Sequence, residues 1–354
     1  MKLEELLEEL TKEKKASDIH VKVGNKPHIR IDGLLRPLEQ FDELSKENTQ
    51  RFALSLMNEE QKKHFEQAKE VDFAISAKGG RFRVNIFQQR GSFGVVIRIV
   101  SFEHKTIEEL HLPTVVNELA ILPRGLVLVT GTTGSGKTTT IASMINYINS
   151  LQCRHIITVE DPIEILHSDI KSIINQRELG SDTSSYAQSL KHIVRQDPDV
   201  IFIGEIRDAE TMDSAMKAAE LGNLVFSTIH TIDATETINR IIDLYPIEHQ
   251  KLVRIMLAST LKGIISLRLL PAMGGGRIPA VEVMKTTDTI RQYVLNPEET
   301  IKIKKAMEEG AYYGMQTFDQ SLIQLLNSKK INLEDAMLAA ENEHDFKLKL
   351  SKAG

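Results

Sequence analysis

The pattern of hydrophobic and polar positions changes in kind along this chain. At its beginning, leucines recur at i, i+3, i+4 and i+7 from Leu3 to Leu10, which predicts an amphipathic helix packed on a core. The Asp32-Gly33 pair predicts a hairpin turn, and a polar helical stretch is predicted over 45–68. Short runs that predict strands lie at 18–23, 28–32, 72–76, 81–88 and 94–100. Short antiparallel strands combined with helices indicate an α+β domain.

From residue 122 onward, long helical stretches alternate with runs that are apolar on both faces. These runs lie at 126–130, 155–159, 200–203 and 224–228. Such runs predict the buried strands of a parallel sheet that is covered by helices on both sides. We therefore expect an N-terminal domain at 1–100, a linker at 101–112 and an α/β domain at 113–354.

Composition narrows the class of protein. The chain has 354 residues, 41% of them hydrophobic and 26% charged, as in soluble globular proteins of two domains. A net charge of −5 gives no basis for a nucleic-acid-binding surface, and the apolar runs are shorter than the roughly 20 residues that span a bilayer. The acidic N-terminus differs from a signal peptide, and Cys153 alone cannot form an internal disulfide or a zinc cluster. We expect a cytoplasmic protein without nucleic-acid partners or membrane insertion.

The strongest chemical signal lies between residues 125 and 149. The apolar run 125–130 leads into Gly131-Thr132-Thr133-Gly134-Ser135-Gly136-Lys137-Thr138, and a helix is predicted from Thr139 onward. Strand, GxxxxGK[ST] and helix in this order predict a phosphate-binding loop, in which backbone N–H groups, the helix N-terminus and Lys137 surround an anion. We expect residues 131–139 to hold a nucleoside triphosphate, with the Thr138 hydroxyl on Mg²⁺.

Carboxylates follow two of the apolar runs. Glu205 comes directly after the run 200–203 and Gly204, where a phosphate-loop protein usually has a strand-end aspartate that handles the metal or the attacking water. Glu160 and Glu164 follow the run 155–159 around Pro162. Because carboxyl ends of parallel strands meet at one edge of a sheet, all three glutamates are candidates for water activation. The sequence does not choose among them.

A histidine follows the last of the four runs. His230 lies in Ser227-Thr228-Ile229-His230-Thr231, at the predicted end of a strand. An imidazole there can donate a hydrogen bond to a γ-phosphate and respond to its loss. A structural histidine is the alternative.

The order of these motifs resembles the type II/IV secretion ATPase superfamily. The motifs that carry the resemblance are Glu160-Asp161-Pro162-Ile163-Glu164, Gln176-Arg177-Glu178, Arg195-Gln196-Asp197-Pro198-Asp199, Gly204-Glu205-Ile206-Arg207-Asp208 and Thr228-Ile229-His230-Thr231. Within the superfamily the chain is most similar to the twitching-motility ATPases that retract type IV pili, PilT and PilU. The resemblance extends from Ser17-Asp18-Ile19-His20 over the rest of the chain.

The resemblance implies a homohexameric ATPase motor with a PAS-like N-terminal domain and a RecA-like motor domain. It implies ATP and Mg²⁺ as cofactors and a place at the pilus base on the inner membrane. An inner-membrane platform protein and a paralogous retraction ATPase are the implied partners. The implied roles are Walker B acid and metal site for Glu205, aspartate-box acid for Glu160 or Glu164, and γ-phosphate sensor for His230.

Arginines of the N-terminal domain are implied to reach the nucleotide in this family. The matching stretch is 80–85, together with Arg90 and Arg98. We take Arg83 and Arg98 as the two that neutralise charge on the transferred phosphoryl group, and a surface or salt-bridge role is the alternative for each.

Two features separate branches of the superfamily. Assembly ATPases carry a further N-terminal domain and often a four-cysteine zinc insert, and neither is expected here. The stretch 289–296 departs at its end from a motif tied to retraction in PilT proteins, so a primary and an accessory motor both stay open. The alternative functions are an ATPase for pilus assembly or type II/IV secretion export, and a nucleotide-regulated scaffold without turnover.

Overall fold

A computed structural model describes residues 5–7, 16–31, 34–77, 80–100 and 105–353. The chain forms two compact units, Met1–Phe102 and Glu103–Gly354. Residues 5–7 are helical, with Leu6 and Leu7 buried, while Leu3, Leu10 and the predicted Asp32-Gly33 turn lie outside the described residues.

The first unit is an antiparallel sheet packed against two helices. Its strands are β1 (Ala16–Lys22), β2 (His28–Ile31), β3 (Leu34–Pro37), β4 (Glu70–Ala77), β5 (Gly80–Gln89) and β6 (Ser92–Ile99). Its helices are α1 (Lys46–Leu56) and α2 (Glu59–Ala68), and the strand order is β3-β2-β1-β6-β5-β4. The predicted α+β fold is confirmed.

The predicted helical stretch over 45–68 is confirmed and consists of two helices, α1 and α2. The Asn58 side chain accepts a hydrogen bond from the Gln61 backbone N–H, and the Gln61 side chain accepts one from the Asn58 N–H. This capping box starts α2 independently of α1. Strand β3, which the sequence pattern did not predict, is fully exposed along its length.

The sheet of the first unit has an apolar face and a polar face. Alternate side chains of β5 and β6, such as Val84 and Ile97, are buried against Phe52 of α1 and Phe65 of α2. The residues between them on the strands therefore lie on the opposite face, where charged side chains collect.

The second unit is a seven-stranded sheet between helices. Its strands are β7 (Gly125–Thr130), β8 (His155–Glu160), β9 (Ile173–Glu178), β10 (Val200–Ile203), β11 (Leu224–Ile229), β12 (Leu261–Pro271) and β13 (Arg277–Lys285), in the order β13-β12-β7-β11-β10-β8-β9. The predicted parallel sheet is confirmed from β12 to β9, but β13 pairs antiparallel with β12.

Helices cover both faces of this sheet. They are α3 (Val115–Ala120), α4 (Lys137–Leu151), α5 (Tyr186–Ile193), α6 (Ala209–Leu221), α7 (Ala234–Asp243), α8 (Ile247–Thr260), α9 (Asp288–Leu295), α10 (Ile303–Glu308), α11 (Phe318–Asn327), α12 (Leu333–Ala339) and α13 (Glu343–Ala353). One buried cluster contains residues of α3 and α4, and another contains residues of α6, α7 and α8. Ile107 and Leu112, from the predicted linker, are buried in the first of these clusters. Within the described ranges, none of the helices has the length and apolar character that crossing a membrane requires.

The strand order brings the predicted motifs together. β7 and β10 both pair with β11, and β8 pairs with β10, all in parallel. The loops that follow these four strands therefore leave the sheet at the same edge, where ligands bind in sheets of this kind.

Candidate nucleotide-binding site

The loop after β7 has a backbone that requires glycine. Gly131 has a φ of 143°, and a Cβ there would lie 2.6 Å from the Leu267 carbonyl oxygen. Gly136, which precedes α4, has a φ of 100°. Both values lie where side chains are strained, so the loop can turn back on itself only with glycine at these places. The turn leads directly into the N-terminus of α4, which carries partial positive charge.

Lys137 is the first residue of α4 and lies over this loop. Its Nζ donates hydrogen bonds to the carbonyl oxygens of Gly131 at 2.7 Å and Thr132 at 2.9 Å. Burial lowers the pKa of the Lys137 ammonium, while the negative charges of Glu205 and Glu164 act in the opposite direction. Both glutamates therefore lie within electrostatic range of the loop.

The loop has polar atoms that suit a phosphate group. Ser135 Oγ and Thr130 Oγ1 are buried, and neither has a hydrogen-bond partner among the residues that the structure describes. Buried hydroxyls usually have a partner, so this pair leaves room for a ligand or water. Thr138 and Thr139 follow on the first turn of α4 and are partly exposed. Cation, hydroxyls and helix N-terminus together fit the phosphates of a nucleotide.

The loop after β10 places Glu205 beside two basic side chains. Glu205 forms an ion pair with Arg207, and its Oε2 lies 3.5 Å from His230 Nε2. The Glu205 side chain is only 12% exposed, whereas His230 is 51% exposed. Glu205 and His230, predicted from separate strand ends, are therefore neighbours.

Backbone contacts fix this arrangement. The Gly204 N–H donates to the Val159 carbonyl at 2.7 Å, and the Ile206 N–H donates to the Thr228 carbonyl at 3.0 Å. The Thr228 hydroxyl donates a hydrogen bond to the Gly204 carbonyl oxygen at 2.7 Å. These bonds tie the loop after β10 to the strand ends on either side of it.

The surroundings of His230 favour the neutral form of its imidazole. Partial burial lowers its pKa, the Lys137 charge lowers it further, and the Glu205 charge acts in the opposite direction. A neutral ring has one N–H donor and one acceptor nitrogen, which suits a contact with a phosphate oxygen.

The three candidate glutamates have different surroundings. Glu160 is 5% exposed, and its Oε1 accepts bonds from the Thr158 hydroxyl at 2.6 Å and the Gln176 amide at 3.1 Å. Burial raises the pKa of Glu160 to about 7, against the effect of these hydrogen bonds. Glu164 is exposed, on the turn that follows. The choice of water-activating carboxylate stays open among Glu160, Glu164 and Glu205.

Arg83 and Arg98 lie opposite each other on β5 and β6 of the first unit. Arg98 Nε donates to Asp18 Oδ1 at 2.6 Å, and Arg83 Nε donates to Asp72 Oδ1 at 3.3 Å. Each arginine thus lies on the polar face of the sheet with an aspartate beside it. Their role at the nucleotide stays a prediction.

Three side chains join the site without having been given a role from the sequence. Arg207 and Gln176 belong to motifs that were recognised, and they act as partners of Glu205 and Glu160. Tyr186 lies beside Gly204, where a Cβ would be 2.7 Å from its hydroxyl. No sequence signal marks Tyr186, since its place depends on how α5 packs.

Known proteins resemble this chain over most of its length. The family model described as "Type II/IV secretion system protein" matches residues 2–275. The type IV pilus retraction ATPase PilT of Pseudomonas aeruginosa is 41% identical over 332 residues, which are 94% of this chain and 96% of that protein. The type IV pilus ATPase PilU of the same organism is 41% identical over 350 residues, covering 98% and 91%.

A solved structure of a pilus retraction motor also matches this chain. The crystal structure of the pilus retraction motor PilT with bound ADP has a TM-score of 0.90 and 45% sequence identity. The match covers 98% of this chain and 99% of that one. The similarity therefore extends over both units of the chain.

Proposed function

Since this chain belongs to the type II/IV secretion system protein family and is an ATPase with a RecA-like motor unit, we propose that it powers the retraction of type IV pili. Two relatives of similar identity, one named a pilus retraction ATPase and the other a type IV pilus ATPase, support the pilus as its object. The solved structure that matches both units is that of a pilus retraction motor, which supports retraction as the direction of work.

One arrangement carries the catalytic part of the proposal. Glu205 Oε2 lies 3.5 Å from His230 Nε2. The Glu205 charge acts to raise the pKa of the Lys137 ammonium in the phosphate loop, and the Lys137 charge lowers the pKa of His230. An acid, an imidazole and a phosphate-binding cation at one sheet edge are the groups needed to sense and cleave a γ-phosphate.

The chain's residues would act on ATP as follows. The amides of 131–138 and the Lys137 ammonium would bind the phosphates. The Thr138 hydroxyl and Glu205 would hold Mg²⁺, whose charge would offset that of the phosphates. A carboxylate among Glu160, Glu164 and Glu205 orients water for in-line attack. Neutral His230 donates a hydrogen bond to the γ-phosphate and loses it after hydrolysis.

The assembly follows from the same family resemblance. The proposal includes a homohexamer at the pilus base on the inner membrane, acting on a platform protein and together with a paralogous retraction ATPase. Loss of γ-phosphate contacts in each subunit would drive a rigid-body movement within the ring. Arg83 and Arg98 of the 1–100 domain would complete the charge neutralisation.

Lys137→Ala tests the proposal in the purified protein and in cells. We expect ATP-dependent phosphate release to fall at least about 100-fold, because the ammonium at the phosphates is removed. Lys217→Ala, an exposed lysine on α6, is the matched control and should keep the wild-type rate. Phosphate release that is unchanged in Lys137→Ala would contradict the placement of ATP on this loop.

Deletion of the gene tests the biological role. We expect cells with more surface pili and no twitching, restored by the wild-type gene and not by the Lys137→Ala gene. Cells without pili would instead indicate an assembly ATPase, and normal pili with impaired export would indicate a secretion ATPase.

A further inference from the structure

The hydroxyl group of Tyr186 lies against Gly204, at the end of strand β10. A Cβ on Gly204 would lie 2.7 Å from the Tyr186 hydroxyl oxygen, 3.3 Å from the Val159 carbonyl oxygen and 3.4 Å from the Glu160 Cα. The hydroxyl therefore occupies the space that the first carbon of a side chain at 204 would need. Gly204 has no left-handed φ, so the neighbours, and not the backbone, require glycine here.

Tyr186 is placed there by the start of α5. Ser185 caps this helix, since its hydroxyl accepts a bond from the Gln188 N–H at 3.1 Å. Tyr186 is the first residue of the helix, and its ring packs against the core cluster that includes Leu190 and Ile203. The ring is thus held by apolar packing, while the hydroxyl extends to the edge of the sheet.

The hydroxyl lies among the acidic groups of the site. Burial raises the pKa of the Tyr186 phenol well above its usual value, and the charges of Asp161 and Glu205 raise it further. Arg207 acts in the opposite direction, and Glu160 raises the pKa as well. The phenol therefore keeps its proton and can donate a hydrogen bond within electrostatic range of these carboxylates.

We infer that Tyr186 is a positioning residue for ATP hydrolysis, whose hydroxyl replaces the missing strand-end side chain at Gly204 and orients the Glu205 carboxylate, directly or through one water. The inference rests on the proposed ATPase site. It explains why this strand ends in glycine: a larger residue would displace the donor. Arg207 forms an ion pair with one carboxylate oxygen of Glu205. The neutral Tyr186 hydroxyl then completes the orientation of this carboxylate toward the nucleotide.

Tyr186→Phe removes the donor and keeps the ring. We expect kcat for ATP hydrolysis to fall about tenfold, with KM for ATP and the thermal midpoint close to wild type, because only the orientation of a carboxylate is lost. Tyr245→Phe is the matched control, since the Tyr245 hydroxyl donates to Asp213 Oδ1 at 2.8 Å and lies 3.2 Å from the Ala209 carbonyl oxygen. We expect that control to lower the thermal midpoint and leave kcat unchanged.

Gly204→Ala tests the contact itself. In the wild type the new methyl group meets the phenol oxygen, so we expect kcat to fall about tenfold. In the Tyr186→Phe background that oxygen is gone, so adding Gly204→Ala should cost less than about threefold. The two substitutions are therefore expected to be strongly non-additive.

The outcomes separate this inference from the proposed function. Wild-type kcat in Tyr186→Phe, or fully multiplicative effects of the two substitutions, would overturn the role of Tyr186 while the ATPase stands. Phosphate release that survives Lys137→Ala would overturn the ATPase site itself. Reduced kcat with unchanged KM, together with non-additivity, supports the inference.

Discussion

At the scale of single residues, burial separates side chains that look alike in the sequence. Glu160 is the last residue of β8 and Glu205 follows β10, but Glu160 has neutral partners whereas Glu205 has Arg207. Burial without a cation raises the pKa of Glu160 to about 7, which allows it to change charge near neutral pH. A carboxylate with such a pKa is suited to accept a proton from water.

This difference gives a pH test for the water-activating group. If Glu160 is the base, its active form is the carboxylate, which is lost as the pH falls through about 7. We expect kcat to be about tenfold lower at pH 6 than at pH 8 in the wild type. Glu160→Gln should lower kcat at least about 100-fold and abolish this pH dependence.

Glu164→Gln is the comparison for that measurement. Glu164 is exposed, so its replacement should leave the pH profile in place. A Glu160→Gln enzyme with wild-type kcat and an unchanged acid limb would remove Glu160 from consideration and leave Glu164 and Glu205.

The strand pattern in the sequence predicts that Glu205 and His230 lie close together, but it does not predict the hydrogen-bond and ion-pair partners of the site residues. Glu205 and His230 meet because parallel strands end at one edge, which is a property of the backbone alone. The partners of Glu160 and the position of Tyr186 depend on side-chain packing between elements far apart in the chain. Local pattern carries no information about such contacts.

At the scale of elements, the hairpin of β12 and β13 is joined to the helix that follows His230. Glu282 of β13 is 2% exposed, and its Oε1 accepts a hydrogen bond from the Ala234 N–H at 2.9 Å, at the start of α7. Ser266 of β12 donates to the same oxygen at 3.4 Å. Burial raises the pKa of Glu282 to about 8.

We expect Glu282 to make the stability of the protein depend on pH. Its pKa is higher in the folded protein than the ordinary value of 4.5, so between these values the folded state keeps a proton that the unfolded chain has released. The contribution of this group therefore falls as the pH rises from about 4.5 to about 8. Above about pH 8 the contribution of Glu282 to the unfolding free energy stays at its lowest value.

Glu282→Gln removes this titration and keeps the shape of the side chain. Relative to wild type, we expect the variant to gain about 1–4 kcal/mol in unfolding free energy between pH 5 and pH 8. Thermal or urea unfolding at the two pH values measures the change, with the exposed Glu248→Gln on α8 as control. An equal difference between Glu282→Gln and wild type at both pH values would contradict the buried titration.

The sequence predicted the buried strands β7, β8, β10 and β11 and most strands of the first unit, but not β9, β12 and β13. β9 carries the polar residues Asn175, Gln176 and Arg177, is the last strand of the sheet within the described residues and is largely unburied, so its sequence lacks the apolar run of the central strands. β12 is apolar but continues directly from α8, so periodicity alone does not separate the two. β13 returns through a glycine-rich turn at 274–276, which forces the antiparallel edge.

At the scale of the whole molecule, each unit has its own hydrophobic core. Phe82 and Ile97 are buried in the first unit, and Phe226 and Ile264 are buried in the second. The predicted catalytic groups are distributed over both units, with Arg83 and Arg98 in the first. Only the intact chain can therefore report on the predicted role of these arginines.

Arg83→Ala and Arg98→Ala test that role. We expect each to lower kcat at least about tenfold and to leave nucleotide affinity close to wild type, since the charge that they neutralise develops during the reaction. Arg36→Ala, on the exposed edge strand β3, is the matched control and should have wild-type kcat. Wild-type kcat in both Arg83→Ala and Arg98→Ala would contradict the prediction.

Loss of Arg98 also leaves Asp18 buried without its ion-pair partner, which would destabilise the first unit. Adding Asp18→Asn to Arg98→Ala removes that charge. A kcat that stays low in the double variant, with its thermal midpoint restored, separates the catalytic effect from the structural one.

The aspartates beside Arg83 and Arg98 bear on the predicted role of these arginines in turnover. Any anion that attracts Arg98 or Arg83 must compete with Asp18 or Asp72 for the same guanidinium. Asp18 is 4% exposed, so water compensates its charge poorly once the arginine leaves. If the two arginines act at the nucleotide as predicted, each vacated carboxylate would attract its guanidinium back once the product dissociates, so that every turnover would end with the ion pair re-formed.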